Sequence, residues 1–282
     1  MKQKLLELLQ STEGFLSGQE LSDHLNVSRT AVWKVMKSLE EDGYEIEAVR
    51  NKGYSLKKEP DILTKESCAS RINTKWLGKN LMVYDVTDST NTRLKLAGEQ
   101  GAPHGSVAVA NAQEAGKGRL GRHWETPKGS ALAFSMLLRP QIQPENASML
   151  TLVAALAVSR AIDEFAGIKT QIKWPNDIVY QGKKLCGILT EMSADMDQIH
   201  YVIVGIGINV QMTDFPKEIQ NTATSLKLVT GKTLLRNKLL AKVLEEFEVL
   251  YEQFVSVEKT QVHFPLVSPN VFQDGLFLPP AH

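Results

Sequence analysis

Residues 173–191 read Lys-Trp-Pro-Asn-Asp-Ile-Val-Tyr-Gln-Gly-Lys-Lys-Leu-Cys-Gly-Ile-Leu-Thr-Glu, and they narrow the possible folds more than any other stretch. An apolar lead-in at Gln171 and Ile172 meets a Trp-Pro-Asn-Asp turn, a second strand follows over 178–180, and a Gly-Lys-Lys hairpin returns a third over 185–191. Pro175 removes a backbone donor and Asn176-Asp177 favours a turn, so polar side chains fall at strand ends, within reach of a ligand. Lys184 sits beside the hairpin and next to a near-continuous apolar run. A cation held against a dry wall suits phosphate or carboxylate chemistry. Turn chemistry alone leaves this reading level with an ordinary hairpin carrying solvated lysines.

A second segment, 111–124, reads Asn-Ala-Gln-Glu-Ala-Gly-Lys-Gly-Arg-Leu-Gly-Arg-His-Trp. Gly116, Gly118 and Gly121 fit G-x-G-x-x-G, but the dinucleotide-binding fingerprint needs a helix after the glycines. Here a strand over 106–110 precedes the loop, and residues 131–138 read as another strand beyond it. The segment is therefore a glycine-rich loop between strands, carrying Lys117, Arg119 and Arg122. Its glycines let backbone amides approach a ligand, and its cations offer charge-assisted bonds to phosphate. A flexible basic surface hairpin is the plain alternative.

Together with Asp88-Ser89-Thr90-Asn91, the pattern resembles the bifunctional biotin–protein ligases and biotin-operon repressors of the BirA type. The resemblance runs from about residue 1 to about residue 255. It rests on the Asp-Ser-Thr-Asn turn, the loop from Gln113 to Arg122, the Lys-Trp-Pro-Asn-Asp turn, the Lys-Leu-Cys-Gly-Ile-Leu strand and Gly205-Ile-Gly-Ile-Asn209. Each motif is weak alone; their shared order makes the match specific.

Composition permits this. The 282 residues are enough for two domains, and 43% apolar with 23% charged residues is the balance of a soluble globular chain. The formal net charge is zero, so no global field argues for nucleic acid or membrane. Cys68 and Cys186 form no C-x-x-C pair and the six His show no metal-ligand spacing, so neither a disulfide framework nor a metal site is indicated. Without a signal pattern or an apolar run near 18 residues, a cytoplasmic protein with no membrane partner is expected.

The first sixty residues read as a separate unit. Leu5, Leu6, Leu8 and Leu9 suit a short amphipathic helix, and Ser17-Gly-Gln-Glu20 is a capping box that starts a second helix ending near Leu25. Asn26-Val27 makes a turn, Ser28 caps a third helix with Ala31, Val32, Val35, Met36 and Leu39 at helical spacing, and Gly43 ends it. Two capped helices so close are the helix-turn-helix signature. Short strands over 44–46 and 54–56 around Arg50-Asn-Lys-Gly53 read as the hairpin of a winged helix. The third helix would enter the major groove with Arg29, Thr30, Lys34 and Lys37, while Arg50 and Lys52 at the wing tip reach phosphates. The module carries nine Lys/Arg against ten Asp/Glu. That argues against tight monomeric DNA binding and for a dimer.

Glu59-Pro60-Asp61 marks the domain boundary, and Thr64 caps a helix over 64–72. Strands are expected over 82–86, 107–110, 132–138, 172–174, 178–180, 186–191 and 199–210. Residues 148–165 predict a helix packed into the sheet, and 235–254 an amphipathic helix exposing Glu245, Glu246 and Glu248. The fold class is α+β: a winged helix-turn-helix over 1–60, then a mixed α/β domain of the biotin/lipoate ligase type over 61–255.

The resemblance implies an ATP-dependent biotin–[acetyl-CoA-carboxylase] ligase that forms biotinyl-5′-AMP from biotin and ATP with Mg2+, then biotinylates a lysine of a biotin carboxyl carrier protein domain. It also implies a repressor that dimerises with biotinyl-AMP on operator DNA. No tightly bound cofactor or protein nucleophile is implied; the work is positioning and electrostatic stabilisation. Carried over by position, Ser89, Thr90, Asn91 and Gln113 meet the biotin ureido ring, and Gly116, Lys117, Gly118 and Arg119 wrap the carboxylate and α-phosphate. Trp124 covers the biotin tail, and Lys184 binds carboxylate and α-phosphate through both half-reactions. Arg122, Lys173, Asn176 and Asp177 serve the nucleotide or its magnesium, while Gly187 and Gly205 offer bare backbone. Lys184, Arg119 and Lys117 are the expected catalytic groups.

This chain departs from the pattern in three places. Lys117 and Leu120 stand where the family usually has Arg, which keeps one charge without its planar fork and loses another. Cys186 replaces a small apolar residue and is read as inert core. After residue 255 the family's SH3-like barrel is expected to be absent, with 256–282 a degenerate, poorly ordered tail. That leaves room for a sensor-repressor with impaired transfer. A lipoate–protein ligase is disfavoured, because such an enzyme need carry no DNA-binding module.

Overall fold

A computed structural model describes residues 1–195, 197–260 and 277–278. At the N-terminus, α1 (Lys2–Ser11), α2 (Gly18–Leu25) and α3 (Arg29–Glu41) form where the caps predict. Ser17 Oγ accepts the Glu20 amide at 3.1 Å while the Glu20 carboxylate accepts the Ser17 amide at 2.7 Å, a reciprocal capping box. Asn26 turns the chain in the left-handed region (φ 52°), and Ser28 Oγ then accepts the Ala31 amide at 3.2 Å. Leu5, Leu6, Leu9, Leu21, Val32, Val35, Met36, Leu39 and Tyr44 bury into a core belonging to this unit alone. The wing is β1 (Glu45–Val49) paired antiparallel with β2 (Gly53–Lys58). Gly53 is required there: φ is +113°, and a Cβ would lie 2.0 Å from the Leu16 carbonyl that bonds β2.

The second unit is built on a mixed sheet. Its strands are β3 (Leu81–Thr87), β4 (Ser106–Gln113), β5 (Ala131–Leu138), β6 (Gln171–Lys173), β7 (Asp177–Tyr180), β8 (Lys183–Ala194), β9 (Ile199–Asn209) and β10 (Phe277–Leu278). They run in the order β10-β6-β7-β8-β9-β5-β4-β3. The β3–β4 and β10–β6 pairs are parallel; the other pairs are antiparallel. Each of the seven predicted strands is present, longest in excess at β8. The helix expected over 64–72 is shorter: Thr64 caps it as predicted, but α4 spans only Lys65–Ala69.

Alternation along β5 divides the two faces of the sheet. Leu132, Phe134, Met136 and Leu138 join Val202, Val204, Ile206 and Ile208 of β9 in the main core, under α6 (Met149–Ala166) and α8 (Arg236–Thr260). The other face carries α5 (Thr90–Glu99), a helix the sequence did not announce, packed through Leu94 on Ala108, Leu137, Tyr201 and Ile203. Gly98 lets α5 sit that close, since a Cβ there would meet Leu137 at 2.8 Å. Beside α5, the same face is left open and carries the candidate site. Cys186 is fully buried, and burial pushes its thiol far above the ordinary range, in keeping with inert core.

Helix α8 corrects one expectation. Glu248 is 5% exposed, not solvated. Its carboxylate accepts the backbone amides of Lys75 (2.7 Å), Trp76 (2.9 Å) and Leu77 (2.9 Å), capping a loop more than 170 residues away in sequence. Burial pushes its carboxyl up, but the three amide bonds and the Lys75 charge outweigh burial and hold it below the ordinary carboxylate value. A depressed folded value means that this stability is present above the unfolded carboxylate's pKa and is lost as pH falls through the folded one. Glu248→Gln should therefore cost about 2 kcal/mol at neutral pH, and the difference from the parent should shrink on acidification below pH ~4.5. Urea melts of both proteins from neutral to acid pH test this; a gap that widens toward acid contradicts it.

The two units meet at the predicted boundary. Glu59 is ion-paired with Arg71 and, at 3.0 Å, with Lys238 of α8, while its other oxygen accepts from Gln10 of α1 at 2.9 Å. Helix α8 continues to Thr260, and Phe277–Leu278 pair with β6. The rest of the expected degenerate tail over 256–282, and the barrel question with it, lies outside the described residues.

Candidate active site

The floor of the open face is a patch almost without side chains. Directly opposed residues of antiparallel strands point to the same face, and the register places Gly187 of β8, Gly207 of β9 and Ala133 of β5 in one row. The next row holds Leu189, Gly205 and Ser135. Gly187 and Gly205 were expected at the site; Gly207, two residues from Gly205 and therefore on the same face, completes the trough. Indole atoms of Trp124 lie over it, at 2.5 Å from where a Gly207 Cβ would stand and 3.1 Å from that of Gly187. Trp124 Nε1 is buried without a hydrogen-bond partner among the described residues. A flat apolar body thus already occupies the trough, held there without polar anchoring.

One end of the trough is polar. Asp88 accepts the Ser89 amide at 2.6 Å and pairs with Arg93 at 2.9 Å, which fixes the start of α5. Ser89, Thr90 and Asn91 are all at least 95% buried there. The Thr90 amide donates to Gln113 Oε1 at 2.8 Å, and the Thr90 hydroxyl lies 3.1 Å from the same oxygen. Gln113 Nε2 donates to Thr126 Oγ1 at 3.2 Å, so its amide orientation is set. Asn91 is seated over Gly205, where a Cβ would come within 2.1 Å of Asn91 Oδ1. Ser135 and Glu191, which the sequence did not single out, both bond Asn91.

The other end is charged. Lys184 Nζ lies 2.7 Å from Asp177 Oδ1 and 5.5 Å from the centre of the Trp124 ring. Its backbone is clamped by the Thr222 carbonyl (2.7 Å) and the Thr224 amide (2.9 Å). Asn176 Nδ2 donates to the Ile188 carbonyl at 3.0 Å, and Asn176 Oδ1 accepts from Arg119 Nη1 at 2.9 Å. The glycine-rich loop and the Trp-Pro-Asn-Asp turn therefore touch, although 57 residues separate them. Within the loop, Gly116 accepts the Trp124 amide at 2.9 Å and Gly118 donates to Arg122 at 2.7 Å. Gly116 has no room for a side chain, since its Cβ would be 2.3 Å from the Trp124 carbonyl. Lys117, Arg119 and Arg122 are exposed and form no ion pair among the described residues, so their charge is free for a ligand.

Ser89, Thr90, Asn91, Gln113, Lys117, Gly118, Arg119, Trp124, Asn176, Lys184, Gly187 and Gly205 line one cleft. A wider cleft shares Gly118, Arg119, Trp124, Asn176 and Lys184 with it and continues over Arg122, Lys173 and Asp177. Its far wall is Asn209 at the end of β9 together with Met212, Phe215, Pro216 and Ile219 of the loop that follows, and that loop carried no sequence signal because it has no period or charge pattern. The DNA-facing candidates form a separate group. Arg29, Thr30, Lys34 and Lys37 are exposed on α3, and Arg50 and Lys52 are exposed at the wing turn. Lys37 is paired with Glu40 at 2.5 Å, and Trp33, 51% exposed on the same helix, was not anticipated.

Comparison with known proteins agrees on both halves. Residues 83–209 match the biotin/lipoate A/B protein ligase family, and residues 2–55 match an HTH domain. The chain is 43% identical over 259 residues to the bifunctional ligase/repressor BirA of Bacillus subtilis, covering 91% of this chain and 80% of that protein. It is 32% identical over 252 residues to the bifunctional ligase/repressor BirA of Escherichia coli, covering 89% and 76%. Among solved structures, the Aquifex aeolicus biotin protein ligase in complex with biotin and ATP superposes with a TM-score of 0.57 at 41% identity, covering 63% of this chain and 72% of that one.

Proposed function

This chain belongs to the BirA-type family of bifunctional biotin ligases and repressors, and from that premise we propose how its cleft performs the reaction. The protein is an ATP-dependent biotin–[acetyl-CoA-carboxylase] ligase and a biotin-dependent repressor acting through an HTH domain. In the first half-reaction a biotin carboxylate oxygen bonds to the α-phosphorus of ATP, and the bond to the β-phosphate oxygen breaks to release pyrophosphate. In the second, an acceptor lysine amine bonds to the acyl carbon of biotinyl-5′-AMP, AMP leaves, and the amine loses a proton.

The observation that supports this assignment is a trough of bare backbone with hydroxyl and amide groups at one end and cations at the other. A cyclic urea offers donors and an acceptor and suits Ser89, Thr90, Asn91 and Gln113. The tail then lies along Gly187, Gly205 and Gly207, with Trp124 displaced from the trough to cover it. The carboxylate reaches Lys184, whose ammonium exchanges Asp177 for the carboxylate and α-phosphate oxygens. Gly116, Lys117, Gly118 and Arg119 close around those oxygens, and Arg122 and Lys173 offset the pyrophosphate charge. Asn176 and Asp177 would hold Mg2+ carried in by the nucleotide, an ion that needs few protein ligands there and would offset charge on the phosphates. The oxygens of Asn176 and Asp177 suit that partial coordination.

For the partners, we take the acceptor to be a biotin carboxyl carrier domain, in keeping with the ligase activity. We take the repressing form to be a homodimer assembled on the adenylate, since a module with nine basic and ten acidic residues gains little from phosphate contacts as a monomer. For a chain that uses ATP and operator DNA, we take the location to be the cytoplasm. Among the described residues no helix is long and apolar enough to cross a membrane.

Incubation with ATP, Mg2+ and labelled biotin, with lipoate as the control acid, should release pyrophosphate only with biotin and then label a carrier domain. Label that stays on the protein as adenylate would make it a sensor-repressor. Pyrophosphate released with lipoate alone would overturn the substrate assignment.

A further inference from the structure

The open face of α3 carries one side chain that attraction to phosphate does not explain. Val32, Val35, Met36 and Leu39 bury into the core of the N-terminal unit, and the other side of the helix exposes Arg29, Thr30, Trp33, Lys34 and Lys37. Trp33 is 51% exposed. Among the large apolar side chains of this unit, only Met1 at the chain terminus is as open. Residues four apart on a helix are neighbours along one face, so Arg29, Trp33 and Lys37 form a line with the indole at its centre.

The charges around that line differ from those elsewhere in the unit. Lys2, Lys37, Lys57 and Lys58 are ion-paired, with Asp42, Glu40, Glu47 and Glu45. Arg29, Lys34, Arg50 and Lys52 have no carboxylate partner among the described residues, and they gather on α3 and at the wing turn. Arg29 is aimed from α2: its Nε donates to Gln19 Oε1 at 3.0 Å, and Gln19 Nε2 donates to Asp23 at 2.7 Å. A face with unpaired cations on either side of an indole suits a polyanion. It does not suit a protein interface, whose buried centre is depleted in charge. The occupant of this face is duplex DNA.

Cations answer phosphates, but an indole cannot neutralise one. It offers a flat apolar surface and a single N–H donor. In the major groove the C5-methyl of thymine is the apolar group on a base edge, while the other edges present donors and acceptors. We propose that Trp33 is a specificity-determining residue of the repressor: with α3 in the major groove, its indole packs on a thymine methyl and selects an A·T pair at one fixed position of the site. Arg29 and Lys34 beside it hold the groove walls. The inference rests on the repressor function given above.

The test uses the full-length protein with biotin, ATP and Mg2+, and a pool of random-sequence duplexes from which the parent enriches its site. Binding to the enriched duplex is then followed by fluorescence anisotropy for the parent, Trp33→Ala, Trp33→Phe and Lys34→Met. Trp33→Ala should bind about tenfold more weakly, the scale of one misread base pair. Its slope of log Kd against log salt should match the parent's, because no phosphate contact is lost. Lys34→Met should flatten that slope by about one and weaken all sequences alike. Replacing thymines by uracil one at a time removes single methyl groups. At one position the parent should lose about fourfold, the worth of one buried methyl-sized group, and Trp33→Ala should lose nothing there. Trp33→Phe keeps an apolar ring and should keep that sensitivity. Parental affinity in Trp33→Ala, parental sensitivity to every uracil, or a flattened salt slope would overturn the inference. Loss of self-association in Trp33→Ala, measured by sedimentation without DNA, would also overturn it and place the indole between two copies of the chain. Thermal melting of each variant identifies one that has merely unfolded. The repressor assignment fails separately: the parent would then enrich no sequence, and the inference would fall with it.

Discussion

Replacing Lys184 with methionine should slow adenylate formation by about 10²–10³-fold while changing the KM for biotin by only a few-fold. Charge builds at the α-phosphate as the carboxylate oxygen arrives, and a cation already fixed beside it acts on that charge without having to reorganise. Lys184 is held firmly enough to play that part. Its backbone is pinned on both sides by Thr222 and Thr224, its ammonium is parked on Asp177, and its stem lies close against Gly187, with Nζ 3.2 Å from where a Gly187 Cβ would stand. On the proposed seating the biotin ring lies at the far end of the trough against other groups, so ground-state binding should largely survive, and the loss should appear in kcat. Arginine should not rescue it: its planar fork needs room that the trough, filled by the biotin tail under Trp124 on the proposed seating, does not provide. Single-turnover adenylation of Lys184→Met and Lys184→Arg, with biotin binding followed calorimetrically, separates the two effects. A loss confined to KM would move Lys184 from catalysis to substrate binding.

What the sequence shows of this protein follows from the range of the interactions involved. The winged helix is legible because its signals are local: Ser17, Glu20 and Ser28 cap helices within three residues of themselves. The strands are legible because a two-residue period needs no partner to be seen. Helix α5 is not, since Thr90, Asn91, Thr92 and Gly98 are poor helix formers whose places are set by contacts with β4, β5 and β9. Glu248 misled for the same reason: it sits among other acids on a helix, and only the fold brings the amides of residues 75–77 to it. At the site, motif residues were readable one by one. Gly207 and Ser135 were not, because their meaning lies in the register that sets them beside Gly187 and Gly205. Glu191 closed a motif but became a site residue only through Asn91, 100 positions away.

The same contrast governs the largest expected effect on stability, which falls on a residue that the sequence marks only as a linker. Asp61→Ala should destabilise the protein by about 3–5 kcal/mol, the usual cost of stranding a buried charge. Arg236, at 1% exposure, is the bulkiest fully buried side chain among the described residues. Its guanidinium meets Asp61 Oδ2 at 2.9 Å, the Asp61 carbonyl at 3.2 Å and the Ala131 carbonyl at 3.1 Å, while its backbone amide meets Asp61 Oδ1 at 2.9 Å. Losing Asp61 leaves a cation in the core with only carbonyl oxygens for partners. Arg236→Met should cost less, because Asp61 keeps the Arg236 amide and Gln211 Nε2 at 3.2 Å and is nearer solvent. The double variant Asp61→Ala/Arg236→Met should be more stable than Asp61→Ala alone, since the stranded charge is gone. Urea midpoints for the three variants test this order; equal losses for the two single variants would mean that the pair acts through packing alone. The pair also has a position that matters. Ala131 lies opposite Asn209 at the rim of the wider cleft, and Gln211 follows it. Asp61→Ala should therefore weaken ATP binding as well as folding, because the chain leaving the DNA-binding unit is fastened to the end of the cleft proposed for the nucleotide.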